Sequence, residues 1–158
     1  MRHVWPPSNT DSSRSEFIDT GKLPVIDPQN DVLWQSIDAF DFNDPDADLS
    51  FTARLAREIG WKLNYASRMV EEYKRLVYLA IRAGHEVTPS DAVDQAWHLH
   101  LTYSQNYWDK FCKDVLEMPL QHGPTKGGKP EAEKYWGQYH RTLDTYQELS
   151  DETPPVDI

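Results

Sequence analysis

The residues best suited to chemistry lie in one short segment, Val93-Asp94-Gln95-Ala96-Trp97-His98-Leu99-His100-Leu101. Carboxylate and imidazole groups are common protein ligands of zinc and other divalent metals. Asp94 and His98 are four residues apart, the spacing that brings two side chains together on one face of an α-helix. Side chains two residues apart on a helix point about 200° apart. The pattern therefore predicts that Asp94 and His98 share a site and that His100 faces another direction.

A third ligand for this pair would have to come from beyond the helix. His122 follows the predicted end of the helix at Pro119 and could fold back toward Asp94 and His98. Three protein ligands and an open fourth position would form a Lewis-acid or water-activating site. We therefore predict Asp94, His98 and His122 as metal ligands, with a divalent ion such as zinc as cofactor. The alternative is that Asp94 only orients His98 by a hydrogen bond at a wet surface, with no metal.

The opposite face of the same helix is predicted to enter the core. On a helical projection, His100 lies among apolar and aromatic side chains. We therefore expect a buried imidazole whose nitrogens pair with a tyrosine hydroxyl or a backbone carbonyl. The residues predicted to line a pocket or to support the site are His100, Trp97, Tyr107 and Tyr103.

Helical periodicity runs through most of the chain between its two ends. Apolar residues at three- and four-residue spacing predict helices over residues 32–40, 51–59, 64–83, 89–117 and 130–149. Ser50 or Thr52 is expected to cap the second helix and Gly60 to end it. Thr88 is expected to cap the fourth, with Pro89 at its first position. Because no segment alternates with a period of two, the sequence predicts an all-α, single-domain bundle of about five helices.

The two ends of the chain differ from the middle in composition. Residues 1–30 are rich in Ser, Asn, Asp, Thr and Pro and are predicted to form an extended or disordered N-terminal arm. Residues 31–150 are predicted to form the helical bundle domain. Residues 151–158 are predicted to be a C-terminal tail, since Pro154 and Pro155 are incompatible with a helix interior.

Composition and charge exclude several classes of function. The 158 residues include 16 basic and 26 acidic side chains, which gives a formal net charge of −10. Such an acidic chain is not expected to bind nucleic acid, which requires a basic surface. The single cysteine, Cys112, cannot form an internal disulfide, and no apolar run approaches the ~20 residues of a membrane span. We therefore expect a cytoplasmic protein without a membrane span, whose partner is another protein.

Several motifs in and after the long predicted helix resemble a known family. They are Val87-Thr88-Pro89-Ser90, a V-D-x-x-W-H-x-H signature at residues 93–100, Tyr107, Phe111-Cys112 and His122-Gly123-Pro124. This pattern resembles the glycine-rich-domain-containing-protein-like family, and more closely the N-terminal cytosolic region of certain uncharacterised bacterial membrane proteins. The similarity extends from about Leu33 to Ile158. It implies a fold more than an activity, and it implies a site at the matching positions: Asp94, Trp97, His98, His100, Tyr107 and His122.

These observations lead to three functional hypotheses. The first is a small cytosolic helical binding or adaptor module with a His/Asp metal-binding centre. The second is a metal-dependent enzyme, a hydrolase, that uses Asp94, His98 and His122 as ligands and His100 or Tyr107 as acid, base or orienting group. The third is a small-molecule pocket lined by four tyrosines: Tyr103, Tyr107, Tyr135 and Tyr139.

Overall fold

The computed structural model describes residues 2–5, 28–124 and 128–156, and only the backbone of Arg2–Trp5 and Pro124. Its helices are a 3₁₀ turn (Pro28–Asn30), α1 (Val32–Asp38), α2 (Phe51–Ile59), α3 (Leu63–Arg82), α4 (Asp91–Thr102), a π-helix (Gln105–Leu116) and α5 (Lys129–Ser150). Two short strands are β1 (Arg2–Trp5) and β2 (Gln121–Pro124). The predicted all-α bundle is confirmed. Most of the predicted N-terminal arm, residues 6–27, lies outside the described residues.

Helix α3 forms the centre of the bundle. Met69, Tyr73 and Val77, which follow one another at four-residue intervals, are fully buried. Helices α1, α2 and α4 pack against α3, and α5 contacts it over a shorter length. Arg82 near the end of α3 donates to both carboxylate oxygens of Asp31, at 2.8 and 2.9 Å, and so ties α3 to the start of α1. Helix α3 is therefore the support on which α4 and its site residues rest.

The ends of two helices test the expected capping residues. Ser50 caps α2 by accepting a hydrogen bond from the Ala53 amide, and Gly60 ends that helix with a φ of 80°, as predicted. The predicted cap of α4 is wrong. Ser90 accepts from the Val93 amide at 3.2 Å and begins the helix, whereas Thr88 is buried before it. Pro89 therefore precedes the cap instead of occupying the first helical position.

The long helix predicted over residues 89–117 is interrupted near its middle. Helix α4 ends at Thr102, where Tyr103 adopts φ −86° and ψ 62°. The chain then continues in wider turns, and at their end the Glu117 amide bonds to the carbonyl of Cys112, five residues earlier. Neither a glycine nor a proline marks this change, so the sequence pattern carries no signal for it. One consequence is that Asn106 folds back onto the imidazole of His100.

A small antiparallel sheet lies where no strand was predicted. Strand β1 pairs with β2, and Val4 stands opposite His122 in the register. The sequence had indicated a loop at residues 122–124, because four-residue strands are too short to show an alternating pattern. The pairing matters for function, since it fixes the backbone of His122 against the N-terminal segment.

In the part of the chain that the structure describes, no helix combines the length and the apolar character that crossing a bilayer requires.

Candidate metal centre

Helix α4 presents two of the three predicted ligands on one face. Asp94 and His98 are one turn apart, and the Nε2 atom of His98 lies 3.5 Å from Oδ2 of Asp94. The side chain of Asp94 is 15% exposed and that of His98 is 29% exposed. The pair is therefore close to the surface but partly shielded from water, and the i,i+4 prediction agrees with the observed geometry.

Strand β2 brings the third predicted ligand to this pair. The Nε2 atom of His122 lies 2.7 Å from Oδ1 of Asp94, a charge-assisted hydrogen-bond distance. The ring centroids of His98 and His122 are 4.7 Å apart. His122 is the most buried of the three, with its side chain only 4% exposed. The segment beyond Pro119 therefore does return to α4, as a strand and not as the predicted loop.

Taken together, the three side chains form a cluster with the dimensions of a metal site. One ligand atom from each of Asp94, His98 and His122 lies within 4.8 Å of the other two. Ligand atoms around a tetrahedral ion with bonds of about 2.0–2.1 Å lie about 3.3 Å apart. Side-chain adjustments of the order of 1 Å would therefore bring all three atoms onto one ion. Two nitrogens and one oxygen form a donor set suited to zinc or another first-row divalent ion.

A chain of buried contacts fixes the position of His122. The ring of Trp97 packs edge to face against it, with centroids 4.3 Å apart. The indole N–H of Trp97 donates to the hydroxyl of Tyr107 at 3.0 Å, and that hydroxyl donates to the carbonyl of Leu120 at 2.6 Å. Because Leu120 directly precedes β2, this network holds the strand in place. Trp97 and Tyr107 thus connect His122 to the segment that precedes β2.

His100 lies away from the cluster, in the core. It is fully buried, and its Nδ1 and Nε2 atoms lie 2.9 Å from the Tyr73 hydroxyl and 2.7 Å from Oδ1 of Asn106. Because the Asn106 amide group donates to the Asp41 carbonyl, its oxygen faces His100, which must carry its proton on Nε2. Burial lowers the pKa of His100 to about 4, against a smaller opposing effect of Asn106. His100 is therefore a neutral core residue. The expected tyrosine partner is present, and the second partner is a side-chain amide.

The predictions that Tyr103 supports the site and that four tyrosines line one pocket differ from the structure. The ring of Tyr103 packs on Phe51 and under the guanidinium of Arg54, so it does not reach the cluster. Tyr107 is fully buried, and Tyr135 and Tyr139 stack on each other along α5. Since the break after Thr102 and the separate course of α5 direct these rings to different places, the four tyrosines do not line one pocket.

Tyr135 is nevertheless relevant to the cluster. Its hydroxyl donates to the carbonyl of Pro89 at 3.4 Å, just before α4 begins. Burial raises the pKa of Tyr135 to about 12, and the negative charges of Asp91 and Asp94 add to this effect. Tyr135 therefore keeps its proton at neutral pH near the carboxylate side of the cluster. No local pattern in the sequence signals this contact, because α5 lies far from α4 along the chain.

Comparison with models of known protein families, with curated proteins and with solved structures gives no match. The family resemblance of the segment around residues 93–100 therefore stays a prediction.

Proposed function

We propose that this protein is a helical metal-binding module that holds one divalent ion, zinc in the first instance, through Asp94, His98 and His122. The observation that carries the proposal is the convergence of their ligand atoms within 4.8 Å. If Asp94 only oriented a histidine by a hydrogen bond, one imidazole beside its carboxylate would be enough. That role does not explain why two histidines from separate elements, His98 and His122, meet at the same carboxylate.

Binding of the ion would exchange a proton for a metal. Nε2 of His122 is 2.7 Å from Oδ1 of Asp94, so one of these two atoms carries a proton that the pair shares. A metal ion needs the unprotonated nitrogen and the carboxylate anion, so its binding displaces that proton from the Nε2–Oδ1 contact, and a neutral His122 ring then carries its proton on Nδ1. The edge-to-face contact with Trp97 packs against the His122 ring and supports its position.

A hydrolase is the second candidate, favoured by the number of ligands. Structural zinc sites have four protein ligands, whereas catalytic sites have three and leave one position for water. When bound, zinc would lower the pKa of that water to about 7 and so supply hydroxide at neutral pH. The side chain of His98 is 29% exposed, so the cluster lies close to the surface.

The proposal extends to the location, the partner and the family of the protein. We place the module in the cytoplasm, where the buried thiol of Cys112 stays reduced, and we assign it a protein partner. We also retain membership of the glycine-rich-domain-containing-protein-like family. Its support is that Asp94, Trp97, His98, Tyr107 and His122 from the matching pattern belong to one connected set of contacts.

The direct test is a zinc titration of the untagged full chain after chelator treatment, with a competing fluorescent chelator. We expect one zinc per chain. Replacing a ligand should cost more than replacing a residue that merely supports one, so His98→Ala and His122→Ala should each bind at least about 100-fold more weakly. His140→Ala is the matched control, because His140 is exposed on α5, and it should bind as the wild type does. Equal affinity in all four proteins would refute the proposed ligands.

The two candidate functions are separated by activity. Zinc-loaded protein should be assayed with ester, phosphoester and peptide substrates beside the His122→Ala variant. Zinc-dependent turnover that is lost in the variant would establish the hydrolase. Binding of zinc without turnover of any of the three classes would leave the metal-binding module.

A further inference from the structure

A cavity lies between α1, α3 and the C-terminal end of α5, apart from the proposed metal centre. Its volume is about 160 Å³, and it opens to solvent beside the 3₁₀ turn. The residues that matter for recognition are aromatic or charged: Trp34, Tyr78, Tyr146, Arg75 and Glu152. An engineered protein cavity of about 150 Å³ binds benzene. The volume here therefore suits a single six-membered ring with a small substituent.

The walls of this cavity are apolar and well ordered by packing. Tyr78 and Tyr146 are almost fully buried, as are Leu79 and Leu149. Trp34 meets Tyr78 edge to face, with centroids 5.7 Å apart. The hydroxyl of Tyr78 donates to Asp31, and that of Tyr146 donates to Glu72, so both rings are fixed from behind. Such walls favour a flat aromatic ring over a flexible chain.

The polar edge of the cavity offers hydrogen-bond donors beside an acceptor. Nη1 of Arg75 is within hydrogen-bond distance of Glu72, Tyr146 and Glu152, which is one partner more than its two hydrogens can serve. The Nε and Nη2 hydrogens of Arg75 have no hydrogen-bond partner among the described residues. The Glu152 carboxylate accepts from Arg75 through Oε2 alone, so Oε1 is available to another donor. A ligand thus meets N–H groups and a carboxylate oxygen next to each other.

Charge decides which ligand fits this edge. Arg75 is balanced by Glu152 at 3.3 Å and by the buried Glu72 at 3.2 Å. A ligand anion would be repelled by these carboxylates, and a cation by Arg75. An uncharged group that carries an acceptor beside a donor matches both neighbours, and a carboxamide is the simplest such group.

We propose that this cavity binds a flat, uncharged aromatic ring that carries a carboxamide or the equivalent cyclic amide. The ring lies among Trp34, Tyr78 and Tyr146. The amide oxygen accepts from Arg75, and the amide N–H donates to Glu152.

The test uses benzamide and the full chain, with nuclear magnetic resonance as the readout. The indole N–H signal of Trp34 is assigned by its loss in Trp34→Phe, and benzamide is titrated while that signal is followed. We expect saturable shifts. Glu152→Ala should weaken binding about tenfold, as expected for the loss of a hydrogen bond to a charged group. The matched control is Glu58→Ala, which removes another exposed glutamate paired with an arginine, on α2 far from the cavity.

Comparison ligands make each outcome decisive. Benzoate carries the same ring with an anionic group, and toluene carries it with no polar group. Weaker binding of both than of benzamide supports the proposal. Equal or tighter binding of either one overturns the recognition of the amide, and an unmoved Trp34 signal with benzamide overturns the site itself. Zinc-loaded and chelator-treated protein should give the same result, so this test is independent of the metal centre.

Discussion

At the scale of single residues, the two histidines of the W-H-x-H segment have opposite environments. His98 lies near the surface beside Asp94, whereas His100 is fully buried among Phe40, Phe42 and Phe111. The helical spacing alone predicts this separation, because one turn joins His98 to Asp94 and points His100 the other way. A tyrosine hydroxyl was expected as one partner of His100, but the spacing could not tell that it belongs to Tyr73 or that Asn106 is the second partner, since both contacts form only in the tertiary structure.

The buried His100 should make stability depend on pH. Its pKa is about 4 in the folded protein and about 6.5 when unfolded, so the unfolded chain binds more protons between these values. The contribution of His100 to the free energy of unfolding therefore rises with pH in this window, and it is lost as the pH falls. We expect a loss of about 2 kcal/mol between pH 7 and pH 4.5 from His100 alone, measured by urea unfolding.

A substitution isolates this contribution from other titrating groups. His100→Gln keeps a donor and an acceptor but does not titrate, so it should be less stable than the wild type at pH 7 and show a smaller loss toward pH 4.5. His140→Gln, at an exposed position, should follow the wild-type curve. Identical pH profiles for wild type and His100→Gln would show that His100 is not buried in its neutral form.

At the scale of elements, the start of α4 offers a test of the corrected cap. Ser90 accepts from the Val93 amide, whereas the buried hydroxyl of Thr88 makes no hydrogen bond within the described part of the chain. Ser90→Ala should therefore lower the free energy of unfolding by about 1 kcal/mol. Thr88→Val, which keeps the shape and removes the unpaired hydroxyl, should be neutral or stabilising. Thermal denaturation of both variants measures the difference, and the reverse order would restore Thr88 as the cap.

The pairing of β1 with β2 should affect the metal centre. Val4 stands opposite His122, and proline within a strand removes an amide donor and fixes φ. We expect Val4→Pro to weaken zinc binding about tenfold while the helical circular dichroism stays the same, because only the strand behind His122 is disturbed.

The control for this prediction lies in the same strand. Arg2 is the first residue of β1, a position where proline is tolerated, so Arg2→Pro should bind zinc nearly as the wild type does. Equal affinity in Val4→Pro and wild type would mean that β1 does not help to hold His122.

At the scale of the whole molecule, the bundle was predictable and its interruptions were not. The three- and four-residue spacing of apolar side chains predicted α2 and α3 nearly to their ends. A helix that packs on a core needs apolar side chains at this spacing, so the pattern is local in the sequence. The break at Tyr103 and the β1–β2 pairing leave no such pattern, since both depend on contacts between distant segments. The third proposed ligand, His122, was identified only as a histidine near enough along the chain to fold back.

Zinc X-ray absorption of the loaded, untagged chain measures whether Asp94, His98 and His122 hold one ion together. We expect zinc neighbours of nitrogen and oxygen only, at about 2.0–2.1 Å, with the more distant scattering of two imidazoles. In His98→Ala the contribution of one imidazole should disappear. A sulfur neighbour at about 2.3 Å, the bond length of a cysteine thiolate on zinc, or a spectrum without imidazole would overturn these ligands.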